Sequence, residues 1–292
     1  MIEKPRVRRT KNLHLLPSAM TVLSICAGLT SIKLALDKEP IPAMALIAIA
    51  AILDALDGRV ARILDAQSRM GAEIDSLADA VNFGVAPALV VYVTLFNSPL
   101  GWMVVLLYAI CVVLRLARYN AALDDGTLPP YAKEFFVGMP APAGAVSMIG
   151  TIALKLEFKD KLGWGEHGWW TNQWVLATWI AGTSLLMVSA IPMKKVHTFA
   201  VPPNLAVLAL AVVALVAAAA VWQPYLLIWV IIISYVCHIP FAVRSKRWLA
   251  QHPEVWGEKP KQWRAAQRAT RRAQPHRRSM ARLGLRKPGG RP

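Results

Sequence analysis

Apolar stretches of about 20 residues alternate along the chain with short links rich in charge, proline or glycine. Eight such stretches stand out, at 17–36, 41–63, 73–96, 101–118, 141–157, 173–192, 203–222 and 224–243. A helix rises 1.5 Å per residue, so roughly 20 apolar residues are what a crossing of the hydrocarbon layer requires. The pattern predicts an all-α, polytopic membrane bundle of about eight transmembrane helices. The seventh stretch, "LAVLALAVVALVAAAAVW", is Ala-rich and reads as a helix packed against neighbours or lipid, with no chemistry of its own.

The cations between these stretches set an orientation. Lys4, Arg6, Arg8, Arg9 and Lys11 precede the first; Arg62 and Arg69 separate the second from the third; Arg115, Arg118 and Lys133 precede the fifth; Lys194 and Lys195 precede the seventh. With an even count of spans these all fall on one side, which the positive-inside rule makes cytoplasmic, together with both termini. The start is basic, but the first apolar stretch has no small-residue cleavage site, so it is expected to remain as a helix.

Composition agrees. Apolar residues make up 56% of the 292, and the mean hydropathy is +0.42, too high for an ordinary soluble domain. Three zones follow: a basic segment 1–16, a membrane domain 17–243 and a basic tail 244–292. The net charge of +16 is concentrated at the ends, above all in that tail. On a membrane protein such a tail is expected to meet anionic lipid, not nucleic acid. Cys26, Cys111 and Cys237 are isolated within apolar stretches and read as small buried hydrophobes. The six histidines have no metal-ligand spacing, and no P-loop or Gly-x-Ser-x-Gly pattern occurs.

Against this apolar background, the segment "DALDGRVARILDAQSRMGAEIDSLAD", residues 54–79, is anomalous. Asp54 and Asp57 are spaced i, i+3 near the end of the second span; Asp75 and Asp79 are spaced i, i+4 at the start of the third. Each pair therefore shares a helix face, and the short link makes the helices antiparallel neighbours, so four carboxylates converge. An Asp within a membrane helix costs about 2.5–3.5 kcal/mol at the bilayer centre and less near the interface, so four together require cations. Arg62 neutralises only part of that charge. Oxygen-rich sites of this kind suit Mg²⁺ or Mn²⁺, and two divalent ions would balance four carboxylates and still attract a diphosphate. Gly58, Ala61 and Gly71 remove side-chain bulk beside the acids, where a nucleotide would approach backbone; close helix packing explains each of them singly. Asp65 and Glu73 miss the spacing and read as solvated charges.

Taken together the pattern is Asp-x2-Asp-Gly-x2-Ala-Arg-x8-Gly-x3-Asp-x3-Asp, from Asp54 to Asp79. A chance match at average residue usage is on the order of one in ten billion per start position. It resembles the signature of the CDP-alcohol phosphotransferase family at every fixed position. Further stretches, "LPSAMTVLSICAGLTSI", "DSLADAVNFGVAPAL", "LRLARYN" and "FFVGMPAPAGA", are similar to the membrane-integral members that make phosphatidylserine, with Asn82 standing where most of those carry Ser. The resemblance implies a homodimeric plasma-membrane transferase with its site facing the cytoplasm. Its substrates are CDP-diacylglycerol and L-serine, and its cofactor is a pair of Mg²⁺ or Mn²⁺ ions. It also implies that Asp54, Asp57, Asp75 and Asp79 hold the metal, that Asp79 doubles as general base, and that Gly58, Ala61, Arg62 and Gly71 line the CDP pocket, with Ser18 and Thr21 near the nucleotide.

The acceptor is less constrained. Free serine needs a cation for its carboxylate, and Arg115, Arg118 and Asn120 at the end of the fourth span supply candidate groups; the positive-inside rule alone also accounts for the arginines. Glycerol 3-phosphate or an inositol phosphate would demand a larger cationic cluster, which Arg115, Arg118 and Lys133 supply equally well. A cation-coupled transporter is the rival of another class, opposed by the gathering of the acids at one edge and by the lack of an inverted repeat.

Overall fold

In the computed structural model of the protein, residues 15–66, 68–124, 135–158, 168, 171–194 and 206–252 are described. Lys133, the N-terminal cations up to Lys11 and the tail from residue 253 onward lie outside them. The first two helices, α1 (Leu15–Leu36) and α2 (Pro40–Ile63), form an antiparallel hairpin. Lys38, at φ 65°, reverses the chain between them, and Pro40 occupies the first turn of α2, where its missing N–H breaks no bond. Asp65, at φ 51°, makes the next reversal, and Ser68 caps α3 (Arg69–Asp79) by accepting from the Gly71 N–H at 2.9 Å.

Beyond α3 the helix does not stop. It widens into a π turn (Ala80–Val85) and resumes as α4 (Ala86–Leu95), giving one apolar span, Met70–Leu95. The cause is local. Pro87 has no N–H to offer the carbonyl of Phe83 one turn back, so that carbonyl needs another donor. Tyr108 provides it: its buried hydroxyl donates to the Phe83 oxygen at 2.8 Å from α5 (Pro99–Asp124).

Helices α6 (Ala141–Leu156) and α7 (Gln173–Val188) complete the core, which is built around Val90, Val91, Val105, Tyr108, Met148, Ile152, Ile180 and Met187. The chain on either side of this pair forms a two-stranded antiparallel ribbon, β1 (Phe135–Val137) before α6 on β2 (Pro192–Lys194) after α7, in the register Phe136 to Met193. Gly138 follows at φ +77° with Met187 O only 2.3 Å from where a Cβ would stand, so no other residue fits this turn. Helix α8 (Ala206–Trp222) leans on α9 (Pro224–Ala250) and exposes most of its apolar surface.

The fold is therefore overwhelmingly helical, as the apolar pattern predicts, with one correction: the ribbon adds a β element to an expected all-α bundle. Among the described residues, five helices are long and apolar enough to cross a membrane, at 17–36, 40–63, 70–95, 99–122 and 224–250. The expected spans at 141–157, 173–192 and 203–222 coincide with shorter apolar helices, of which α6 and α7 have 16 residues each. At 1.5 Å per residue those reach about 24 Å. Helix α9 also continues seven residues past the expected end at 243, carrying Arg244, Lys246 and Arg247 in its final turns.

Candidate active site

The connection from α2 to α3, residues 64–68, is too short to let the helices part. It brings the two acidic faces together. One carboxylate oxygen each from Asp54, Asp57 and Asp75 lie within 4.8 Å of one another. Asp79 joins from the next turn of α3, as an electrostatic neighbour of Asp54 and Asp75. Carboxyl groups gathered in this way require protons or cations between them.

Burial makes that requirement stricter. Asp57 is only 3% exposed, and the Oδ1 atoms of Asp54 and Asp57 are buried with no hydrogen-bond partner. A buried unpaired carboxylate oxygen is among the costlier groups a protein contains. The donor set consists of hard oxygens with unused lone pairs, which fits Mg²⁺ or Mn²⁺. Oxygens sharing one such ion at about 2.1 Å stand no more than roughly 4.2 Å apart, so small side-chain rotations close the 4.8 Å cluster onto a cation.

Helix α1 supports the cluster from outside. Thr21 is buried, with its Oγ1 2.7 Å from Asp57 Oδ2 and 3.0 Å from the Pro17 carbonyl. It has one proton, and the shorter bond to the charged oxygen is the stronger. Below Thr21, Asn82 in the π turn donates to Ser24 Oγ at 3.0 Å, and Ser24 donates to the Thr21 carbonyl at 2.7 Å. Thr21 therefore touches a metal-ligand candidate, where the family resemblance implied a place near the nucleotide. Ser18 lies half-buried one turn earlier.

The motif's small residues flank the acids. A Cβ on Gly58 would meet nothing within 4 Å, so helix packing does not explain that glycine, and open space lies over it. Ala61 is half-buried on the following turn, and Arg62 Nε donates to the Gly58 carbonyl at 2.9 Å, which folds the side chain along the surface of α2. Gly71 belongs to the α3 cap.

The acceptor candidates separate. Arg118 donates to the carbonyls of Val188 at 2.7 Å, Ser189 at 3.1 Å and Val137 at 3.2 Å, tying the end of α7 to β1. Arg115, one turn earlier on α5, is 7% exposed, has a buried Nε without a partner, and is an electrostatic neighbour of Asp79. Asn120 donates to Ser76 Oγ at 3.0 Å, beside Asp75. Sequence reasoning passed over Ser24, Tyr108 and Tyr235. Pro87 is a signal for the second of these, since it orphans a carbonyl; nothing in the sequence marks Tyr235, whose buried hydroxyl on α9 is an electrostatic neighbour of Arg115.

An acid cluster with the donor set of a divalent-cation site at the junction of two apolar helices, with open space over its glycine, is the arrangement that the motif of a CDP-alcohol transferase implies. The sequence model of the CDP-alcohol phosphatidyltransferase family matches residues 14–186, and the chain belongs to that family. Among its relatives, a CDP-diacylglycerol--serine O-phosphatidyltransferase of Mycobacterium tuberculosis (strain ATCC 25618 / H37Rv) is 73% identical over 292 residues, all of both chains. One of the same description from Mycobacterium leprae (strain TN) is 64% identical over 100% of this chain and 95% of its own. Another from Bacillus subtilis (strain 168) is 36% identical over 47% of this chain and 75% of its own.

Proposed function

We propose that the protein transfers the phosphatidyl group of CDP-diacylglycerol to the hydroxyl of L-serine, giving phosphatidylserine and CMP. The observation that carries the reading is the convergence of Asp54, Asp57 and Asp75 within 4.8 Å, with two buried oxygens unpaired, next to Asp79. The full-length relatives of the same description support the choice of acceptor.

Asp54, Asp57 and Asp75, joined by Asp79, would hold the divalent cations, two of them in this reading. When bound, these ions neutralise charge on the diphosphate oxygens and on the departing CMP. The chain does the rest. Gly58 and Ala61 leave room for the cytidine diphosphate, with Arg62 and Gly71 at its edge and Ser18 towards α1. Asp79 takes the proton of the serine hydroxyl as its oxygen bonds to phosphorus and the bond from phosphorus to the CMP oxygen breaks. Arg115 holds the serine carboxylate, and Asn120 closes the cytoplasmic side of that pocket.

The same reading places eight helices in the plasma membrane, the three shorter ones included, with both termini and the active site on the cytoplasmic side. The basic tail would rest on anionic lipid and the enzyme would act as a homodimer. Purified protein incubated with CDP-diacylglycerol, Mg²⁺ or Mn²⁺ and a panel of alcohols, followed by CMP release, tests the reaction. Release with L-serine and not with glycerol 3-phosphate or inositol phosphate is expected. The reverse preference would refute the acceptor, and full turnover after thorough chelation would refute the metal.

A further inference from the structure

Two buried donors, on α5 and α9, have nothing to bond. The Nε of Arg115 and the hydroxyl of Tyr235 are both buried without a hydrogen-bond partner, and each residue lies within electrostatic reach of the other. Native interiors rarely leave one such donor unpaired, and a guanidinium with a phenol within its electrostatic reach is a set of donors suited to one anionic oxygen pair.

Tyr235 is held there by the way α9 is seated. Ile228, Trp229, Ile232, Tyr235 and Ile239 recur on one face of the helix at spacings of one, three, three and four residues. Trp229 Nε1 donates to the Gly150 carbonyl at 2.8 Å and its ring packs on Trp179 with centroids 5.1 Å apart. Ile232 is buried, and its Cδ1 comes within 2.7 Å of where a Cβ on Gly150 would stand, so α9 and α6 are in close contact one turn before Tyr235. Helix α9 lies beyond residue 186, where the family match ends.

We propose that Tyr235 is a further substrate-binding residue, whose hydroxyl joins the Arg115 guanidinium in taking the carboxylate of the acceptor amino acid. The inference deepens the serine reading and rests on it. Arg115 neighbours Asp79, the acid outside the three-carboxylate cluster and the one placed to receive the hydroxyl proton. The carboxylate of serine lies only a few bonds from its hydroxyl, so a hydroxyl at Asp79 carries its carboxylate towards Arg115 and Tyr235. The diphosphate of the donor belongs on the other side, with Asp54, Asp57 and Asp75. Selectivity follows: an acceptor without a carboxylate leaves both donors buried and unpaired, which is the arrangement that rejects analogues most strongly.

The test is Tyr235→Phe, assayed by CMP release with L-serine and with serinol, which keeps the hydroxyl and the ammonium and lacks the carboxylate. The expected result is a KM for L-serine raised about tenfold, the loss of one hydrogen bond to a charged group, with kcat and the KM for CDP-diacylglycerol within about twofold. Preference for L-serine over serinol should fall by a similar factor. A raised KM for CDP-diacylglycerol with serine unaffected would assign the donors to the diphosphate and overturn the proposal, as would unchanged kinetics or a general collapse of both substrates. Arg115→Gln, run alongside, separates the two levels. If it raises the serine KM while Tyr235→Phe does not, only the tyrosine falls; if neither responds, the acceptor pocket itself is misplaced.

Discussion

Thr21→Val removes a hydroxyl and keeps the shape, so it isolates the bond from α1 to the acid cluster. The bond is 2.7 Å long, both partners are buried, and the acceptor is a carboxylate oxygen of Asp57. Hydrogen bonds to charged groups contribute about 1.5–3 kcal/mol. If Asp57 is a metal ligand, most of that appears as weaker metal binding, because an outer partner orients the ligand and its loss costs about 10- to 100-fold in affinity. The Mg²⁺ concentration giving half-maximal CMP release should therefore rise by about tenfold or more, with the rate at saturating Mg²⁺ largely retained. Thr21→Ser, which keeps the hydroxyl, should restore the original requirement. An unchanged Mg²⁺ requirement together with a raised KM for CDP-diacylglycerol would refute the reasoning, because it would mean that Thr21 contacts the nucleotide and not the ligand.

Other variants test neighbouring parts of the argument. Asp79→Asn should abolish transfer while CDP-diacylglycerol still binds, measured by equilibrium binding of labelled substrate; loss of binding would make Asp79 mainly a metal ligand. Tyr108→Phe orphans the Phe83 carbonyl beside the π turn and should lower stability by about 1–3 kcal/mol, read as a fall in Tm of the detergent-solubilised protein. Arg118→Lys cannot reproduce a guanidinium donating to three carbonyls, so Tm should fall while the KM for L-serine stays in place; a raised serine KM at unchanged Tm would return Arg118 to the acceptor pocket.

The acid cluster of the candidate site was legible from residue order because its geometry is local. Asp54 with Asp57, and Asp75 with Asp79, share faces by helical spacing alone, and the link at residues 64–68 is too short for any arrangement but neighbouring helices. Hydropathy likewise located every helical stretch among the described residues, since a chain in lipid must satisfy its backbone within each apolar segment. What the order of residues left open is which side of each helix meets protein. Soluble helices reveal this by an apolar stripe, but hydrocarbon and protein interior are equally apolar, so helices such as α7 and α8 look alike all round. Only tertiary packing brought Tyr235 to Arg115 across 120 residues, joined Asn82 to Ser24 across 58, and turned Arg118 onto carbonyls some 70 residues away. The ribbon escaped for a related reason: its strands, Phe135–Val137 and Pro192–Lys194, are three residues each, too short to carry a two-residue alternation, and each exists only because the other is held beside it.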